Sequence, residues 1–264
     1  MILNNRETFS KMKSELLAAK IRLHTLEMTH RGNSSHVASG LSISDILAVL
    51  YSQVLIFDNK NPSFDSRDRF ILSKGHAGAA LYACLAEVGF FNPKDLLSHY
   101  QNGSLFSGHV SHYGIPGVEF STGSLGHGIS VGIGMSLAAK KRKKNHRIYV
   151  LISDGELDEG SNWEGILFAA HHKLNNLKVI VDYNKLQSLD TVENTLNLEP
   201  LRQKIESFNW NFYTCNGHNH NELYENFSNE SKNNKPSLYL CNTVKGYGVD
   251  FMENNVLWHY RSPQ

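Results

Sequence analysis

The stretch Arg147-Ile-Tyr-Val-Leu-Ile-Ser153, followed after one helical segment by Leu177-Lys-Val-Ile-Val-Asp182, decides the fold. Both are short apolar runs without polar alternation, so neither face of either strand is built for water. A parallel sheet covered on both faces buries such strands. The segment 161–174 between them reads as a crossover helix, and a right-handed crossover brings both strand ends to one edge. Outward from this unit the alternation continues. Arg69-Phe-Ile-Leu-Ser73 reads as another buried strand, ahead of a small apolar helix over 77–90. Downstream, 199–208, 211–215, 220–229 and 237–243 repeat helix and strand. Toward the N-terminus, residues 9–30 space Met12, Leu16, Leu17, Ile21, Leu23, Leu26 and Met28 mostly three or four apart, which predicts an amphipathic helix. Ser42-Ile-Ser-Asp45 looks like a capping box for an apolar helix over 46–57, and Asn92-Pro-Lys-Asp95 starts a further short helix. No internal repeat or linker divides the chain. The expected fold is α/β, a doubly wound, mostly parallel sheet with helices on both faces, as one domain over 1–264.

Composition narrows the function. With 264 residues, 41% apolar and 19% charged, the chain is neither fibrous nor wholly disordered. Its 26 basic and 25 acidic residues give a formal charge of +1, so no whole-chain field draws nucleic acid or an anionic membrane, and a small-molecule function is expected. The basic run Lys140-Lys-Arg-Lys-Lys144 reads as a solvated loop at a helix C-terminus, where cations are favoured. Cys84, Cys215 and Cys241 are odd in number and far apart, which argues against a disulfide framework or thiolate zinc site and fits a reducing cytoplasm. The start Met1-Ile-Leu-Asn-Asn-Arg-Glu lacks a signal-peptide pattern, and no apolar run approaches the roughly 18 residues that span a bilayer. The expectation is a cytoplasmic protein with neither membrane nor nucleic acid as partner.

In open parallel sheets ligands bind beyond the carboxyl ends of the strands. Two polar clusters fall there, Ser153-Asp154-Gly155-Glu156-Leu157-Asp158-Glu159-Gly160 and Asp182-Tyr183-Asn184-Lys185. A carboxylate and an amide oxygen meeting at one edge suit a hard cation shared with a ligand's phosphates. The same residues are also common strand-end turn formers, so spacing alone leaves both readings open. The loop over 103–124 is too long for a mere connector, and Thr122-Gly-Ser-Leu-Gly-His-Gly128 ahead of a helix offers backbone N–H groups to an anion or simply packs that helix closely. It matches neither the dinucleotide fingerprint nor the P-loop. His36, His76, His109, His112 and His127 sit on loops or helix starts, where neutral imidazoles bind phosphate or hydroxyl groups or shuttle protons. His171 and His172, inside a helix, read as structural.

Several segments together resemble a known family. Ser153-Asp154-Gly155 with Asn184 resembles the diphosphate-and-metal signature of thiamine diphosphate enzymes. Ser35-His36-Val-Ala-Ser-Gly40, Leu72-Ser-Lys-Gly-His76-Ala, Ser107-Gly-His109, Val118-Glu-Phe-Ser-Thr-Gly-Ser-Leu-Gly-His-Gly-Ile-Ser130 and Asp154-Gly-Glu-Leu-Asp-Glu-Gly160 resemble successive transketolase motifs in the family's order. The resemblance implies that Asp154, Asn184 and the Leu186 carbonyl hold Mg²⁺ or Ca²⁺. It implies that His76, Gly155 and the Gly123-Ser124-Leu125 backbone contact thiamine diphosphate, with His259 near cofactor and donor sugar. His36, His76 and His109 would surround the reacting carbon, and Glu159 would join a carboxylate network between paired active sites. Ser153, Val37, Val110, Ser124 and His127 depart from the common motifs, which bears on the sugar pocket more than on the cofactor.

The resemblance also implies an activity and a partner. The chain is expected to be the N-terminal subunit of a two-component transketolase, moving a two-carbon ketol unit from a ketose to an aldose, with sugars or sugar phosphates as substrates. Single-chain members carry a pyrimidine-binding domain with an activating glutamate that no residue here matches. Activity is therefore expected only with a C-terminal subunit supplying it, in a heterotetramer within which this chain homodimerises. Two alternatives stay open at this point: an α-type subunit of a thiamine diphosphate-dependent 2-oxo acid dehydrogenase, and a non-catalytic binding relic.

Overall fold

The computed structural model describes residues 14–229 and 233–264. Its centre is a five-stranded sheet of β1 (Arg69–Leu72), β2 (Ile148–Ser153), β3 (Leu177–Tyr183), β4 (Asn211–Asn216) and β5 (Ser237–Asn242), in the order β1-β2-β3-β5-β4. Every neighbouring pair is parallel. Side chains alternate across a strand, and here each side meets its own helical layer. Tyr149 and Leu151 of β2, with Ile180 and Tyr239, join a core formed with α1 (Ser14–Gly32), α3 (Ser44–Val49) and α4 (Gly78–Glu87). Ile148, Val150 and Ile152, with Val179, Val181 and Leu238, face α5 (Gly128–Lys141), α6 (Gly160–His171) and α8 (Leu201–Ser207). The missing polar alternation in β2 and β3 follows from this double cover. The remaining helices are α2 (Val37–Ser42), α7 (Val192–Thr195) and α9 (His220–Ser228). A β-carbon at Gly132 of α5 would lie 2.6 Å from the Val150 Cγ2, so the close seat of α5 on the sheet depends on that glycine.

Local structure departs from the sequence reading in several places. The N-terminal helix begins among the described residues at Ser14; residues 9–13, with Met12, lie outside them. Ser42 ends α2 instead of opening a helix, and its hydroxyl donates to the Asp182 Oδ2 at 2.7 Å. A buried carboxylate competes for the hydroxyl that would otherwise cap. The helix expected over 46–57 widens after α3 into one loose turn over Leu50–Val54, closed by Leu55 N donating to Leu50 O at 2.8 Å. Pro93–Ser98 forms a tight three-residue-per-turn helix whose Asn92 side chain accepts from Lys94 N. His171 and His172 lie exposed at the end of α6. All three cysteines are free and buried, with Cys215 and Cys241 as register partners, Sγ atoms 3.5 Å apart. Among the described residues no helix is long and apolar enough to cross a membrane.

Candidate active site

The ends of β1, β2, β3 and β5 open into a cleft of about 250 Å³. Strand register explains the convergence. Ser153 pairs with Asp182 and Tyr183 with Asn242, so residues just past these positions leave the sheet at one edge. Asp154, Gly155, Asn184 and Leu186 all line the cleft. Asp154 is buried, its Oδ1 accepting from Gly155 N at 2.8 Å and its Oδ2 from Lys185 N at 2.6 Å. Asn184 donates to the Asp182 Oδ2 at 3.1 Å, which fixes its amide orientation and leaves its Oδ1 as acceptor, taking Leu186 N at 3.1 Å. Burial, then the neighbouring Asp182 charge, pushes the Asp154 carboxyl up to about 7. A buried carboxyl in that condition is stabilised by a cation. Carboxylate, amide and carbonyl oxygens form a hard donor set. Among the described residues no three His, Cys, Asp or Glu side chains group as a metal set.

Four histidines meet in the same cleft. The His36 ring lies 5.0 Å from His76, 5.7 Å from His109 and 4.9 Å from His259, centroid to centroid. His36 sits in the left-handed region, φ 70°, immediately before α2, and its N–H donates to His259 O at 2.9 Å. A non-glycine residue held there marks a constrained site. Its ring Nδ1 is buried with no hydrogen-bond partner, an orphan that a ligand would satisfy. Burial, reinforced by His109 and Lys74, pulls His36 down to about 4. Burial and then Lys245 pull His259 down to about 3, and burial holds His76 well below the usual histidine range. These three imidazoles are therefore neutral at pH 7.

Two side chains that strand-end reasoning passed over complete the cleft. Lys74 is fully buried, its Nζ donating to the Asp182 Oδ2 at 2.5 Å and to Ser39 O at 3.3 Å. Burial alone would raise the Asp182 carboxyl; the Lys74 charge and the hydrogen bonds of Lys74, Thr243 and Ser42 outweigh it and hold it below the usual range. Lys245, just past β5, donates to Leu186 O and Gln187 O, both at 2.8 Å, and to the His259 Nδ1 at 3.0 Å. An ammonium only donates, so the His259 proton resides on Nε2. Burial, then the Lys74 charge, draws Lys245 down to about 8. Lys245 follows β5 as Asp154 and Asn184 follow β2 and β3, so Thr243-Val-Lys245-Gly246 is the strand-end signal for it in the sequence. Ser39, Gln187, Ser188 and Tyr260 also line the cleft.

The glycine-rich loop is anchored from beneath. Glu156, buried, accepts from Gly126 N at 2.9 Å and from the Ser73 hydroxyl, while the Ser73 Oγ accepts from Gly128 N at 3.1 Å. A β-carbon on Gly128 would lie 2.2 Å from that Oγ, which is why α5 starts on glycine. Gly123 and Leu125 thereby reach the cleft. Ser124 and Glu159 are exposed and do not line it. His112 and His127 are exposed as well; the first bonds Ser121 and the second the Leu125 carbonyl. The basic run lies at the opposite end of the sheet, where Lys144 pairs with Asp65 at 2.6 Å.

Known proteins resemble this chain in sequence and in fold. The sequence profile of the transketolase, thiamine diphosphate binding domain, matches residues 13–260. An apulose-4-phosphate transketolase subunit of Actinobacillus succinogenes is 42% identical over 230 residues, which cover 87% of this chain and 83% of that protein. The 6-deoxy-6-sulfo-D-fructose transketolase subunit SqwG of a Clostridium species is 40% identical, with 90% and 87% covered. The transketolase of Campylobacter jejuni superposes with a TM-score of 0.88 at 31% identity, over 93% of this chain and 40% of that one. The chain thus spans about two fifths of that longer enzyme. A profile running through nearly the whole described sequence, on a sheet that superposes on the solved enzyme's, makes this chain a member of the transketolase thiamine diphosphate-binding family.

Proposed function

We propose that the chain is the N-terminal subunit of a two-component transketolase, transferring a two-carbon ketol unit from a ketose to an aldose together with a partner subunit. The carrying observation is a single cleft lined both by Asp154 and Asn184 and by a cluster of neutral histidines. The relatives named as transketolase subunits favour this over a 2-oxo acid dehydrogenase subunit, and their names support sugar phosphates or similar anionic sugars as substrates. In this reading the partner supplies the pyrimidine-binding domain, and two copies of each chain form a heterotetramer in the cytoplasm, with Glu159 near the contact between active sites.

The residues present fit the cofactor. The raised Asp154 carboxyl and the orphaned His36 Nδ1 both lack the partner that a metal–diphosphate and a substrate would provide. Asp154, Asn184 and the Leu186 carbonyl would hold Mg²⁺ or Ca²⁺; that carbonyl keeps a second lone pair beside the Lys245 bond. His76, Gly155, Lys245 and the Gly123 to Leu125 backbone would hold the diphosphate. Thiamine diphosphate, when bound, would supply the electron sink for breaking and remaking a carbon–carbon bond beside a carbonyl. His36 and His109 accept and return hydroxyl protons of the sugar, and His259 donates from Nε2. Lys74 and Lys245 hold positive charge at the floor of the cleft.

Titrating thiamine diphosphate into the chain mixed with its partner subunit, with Trp258 beside His259 as the fluorescent reporter, tests the reading. Saturable binding that requires Mg²⁺ and is lost with EDTA is expected. No metal-dependent binding by the mixed subunits would contradict it.

A further inference from the structure

A second polar cluster lies outside the cleft, and its hydrogen bonds lead back to it. Asp45 of α3 is buried and accepts from His218 Nδ1 at 2.7 Å and His220 Nε2 at 2.9 Å, with the Arg22 guanidinium also on its Oδ2. Burial alone would raise this carboxyl; the His218 and His220 hydrogen bonds and the Arg22 charge outweigh it and hold it below the usual range. An ionised acceptor makes His218 carry its proton on Nδ1. Its Nε2 is then the acceptor, and it takes the Val244 N–H at 2.9 Å. The imidazole plane is fixed as well, because the Tyr247 ring stacks on it at 3.6 Å and 14°. Three contacts in different directions thus set one ring, which does not line the cleft.

Val244 immediately precedes Lys245, the residue that ties Leu186, Gln187 and His259 together. On the other side, Gly246 N donates to Ala38 O at 3.1 Å, and a β-carbon on Gly246 would lie 2.4 Å from Met252 O, so the segment turns tightly there. Thr243 is held through Asp182 and through its N–H on Tyr183 O at 3.2 Å. The backbone donor at Val244 is held by a side chain from the β4–α9 connection rather than by the sheet. We propose that His218, oriented by Asp45 and Tyr247, is a positioning residue that sets the Val244–Lys245 backbone and thereby places the Lys245 ammonium in the cofactor cleft. The claim rests on the cofactor reading above.

The test compares His218→Phe, which keeps the ring on Tyr247 and removes both nitrogens, with His218→Gln, whose amide oxygen can reach Val244. Thiamine diphosphate and Mg²⁺ are titrated into each variant mixed with the partner subunit, and ketol transfer is measured at saturating cofactor. His218→Phe is expected to weaken cofactor binding about tenfold, the scale of one lost hydrogen bond at a charged site, with kcat at saturation within about twofold. His218→Gln is expected to recover most of the affinity. Equal weakening in both variants, or wild-type affinity in folded His218→Phe, overturns the proposal. Hydrogen exchange at the Val244 amide of the wild-type chain needs neither variant nor cofactor: slow exchange is expected, and fast exchange overturns the positioning claim. A wild-type complex that binds no cofactor would instead overturn the function proposed above and leave the exchange result to decide the role of His218.

Discussion

Replacing Lys74 by Met is expected to destabilise the chain by about 3–5 kcal/mol at pH 7.5, because it leaves the Asp182 charge buried without its counter-ion. Lys74 and Asp182 are 1% and 0% exposed, so bulk water screens neither charge. Ser42, Thr243 and Asn184 still donate to Asp182, so the loss falls short of stranding a bare carboxylate. The pH dependence should reverse in sign. In the wild type the Asp182 pKa is depressed, so its contribution is present above the unfolded value and is lost as pH falls through the folded one. In Lys74→Met the pKa is raised, so stability is full below the unfolded value and declines as pH rises through the new folded one. Urea unfolding at several pH values should show the two chains converging near pH 4 and diverging above it. Equal midpoints at pH 7.5 would refute this account of the pair.

Asp154→Ala is expected to weaken metal-dependent cofactor binding by ~100-fold or more, beyond the 10–100-fold typical of losing an outer-sphere partner. The wild-type complex should be stabilised by about 2.7 kcal/mol when the cofactor is present at about 100 times its dissociation constant. The variant should show no such gain, because the carboxylate proposed to hold the cation is gone while the neutral oxygens of Asn184 and Leu186 remain. Thermal melts with and without thiamine diphosphate and Mg²⁺ read the difference. Equal cofactor-induced stabilisation in variant and wild type would move the cation elsewhere.

Much of this architecture is legible in the residues. Unalternated strands such as Val179-Ile-Val181 require cover on both faces, and the parallel order follows. The ends of β2 and β3 point to Asp154 and Asn184 because a crossover returns the chain to the same edge. Less legible are features set by contacts distant in sequence. Ser42 looks like a cap until Asp182, 140 residues away, is seen to accept its hydroxyl hydrogen bond. Lys74 and Lys245 read as ordinary cations, since nothing local reveals that they are buried beside the cleft. Asp45 reads only as part of a helix cap and His218 as one loop histidine among several, and only their meeting across α3 and the β4–α9 connection gives them a role. Ser124 and Glu159 show the converse, because a family motif names residues that this chain by itself leaves at its surface.

The most direct measurement is ¹³C NMR of a ketose phosphate labelled at both C1 and C2, incubated with an aldose phosphate, thiamine diphosphate, Mg²⁺ and the two subunits together. The account predicts that the two labelled carbons move as an intact pair onto the aldose, only when both subunits are present. A cofactor-loaded complex that leaves the pair on its donor, or that instead decarboxylates pyruvate in the presence of an electron acceptor, would contradict it.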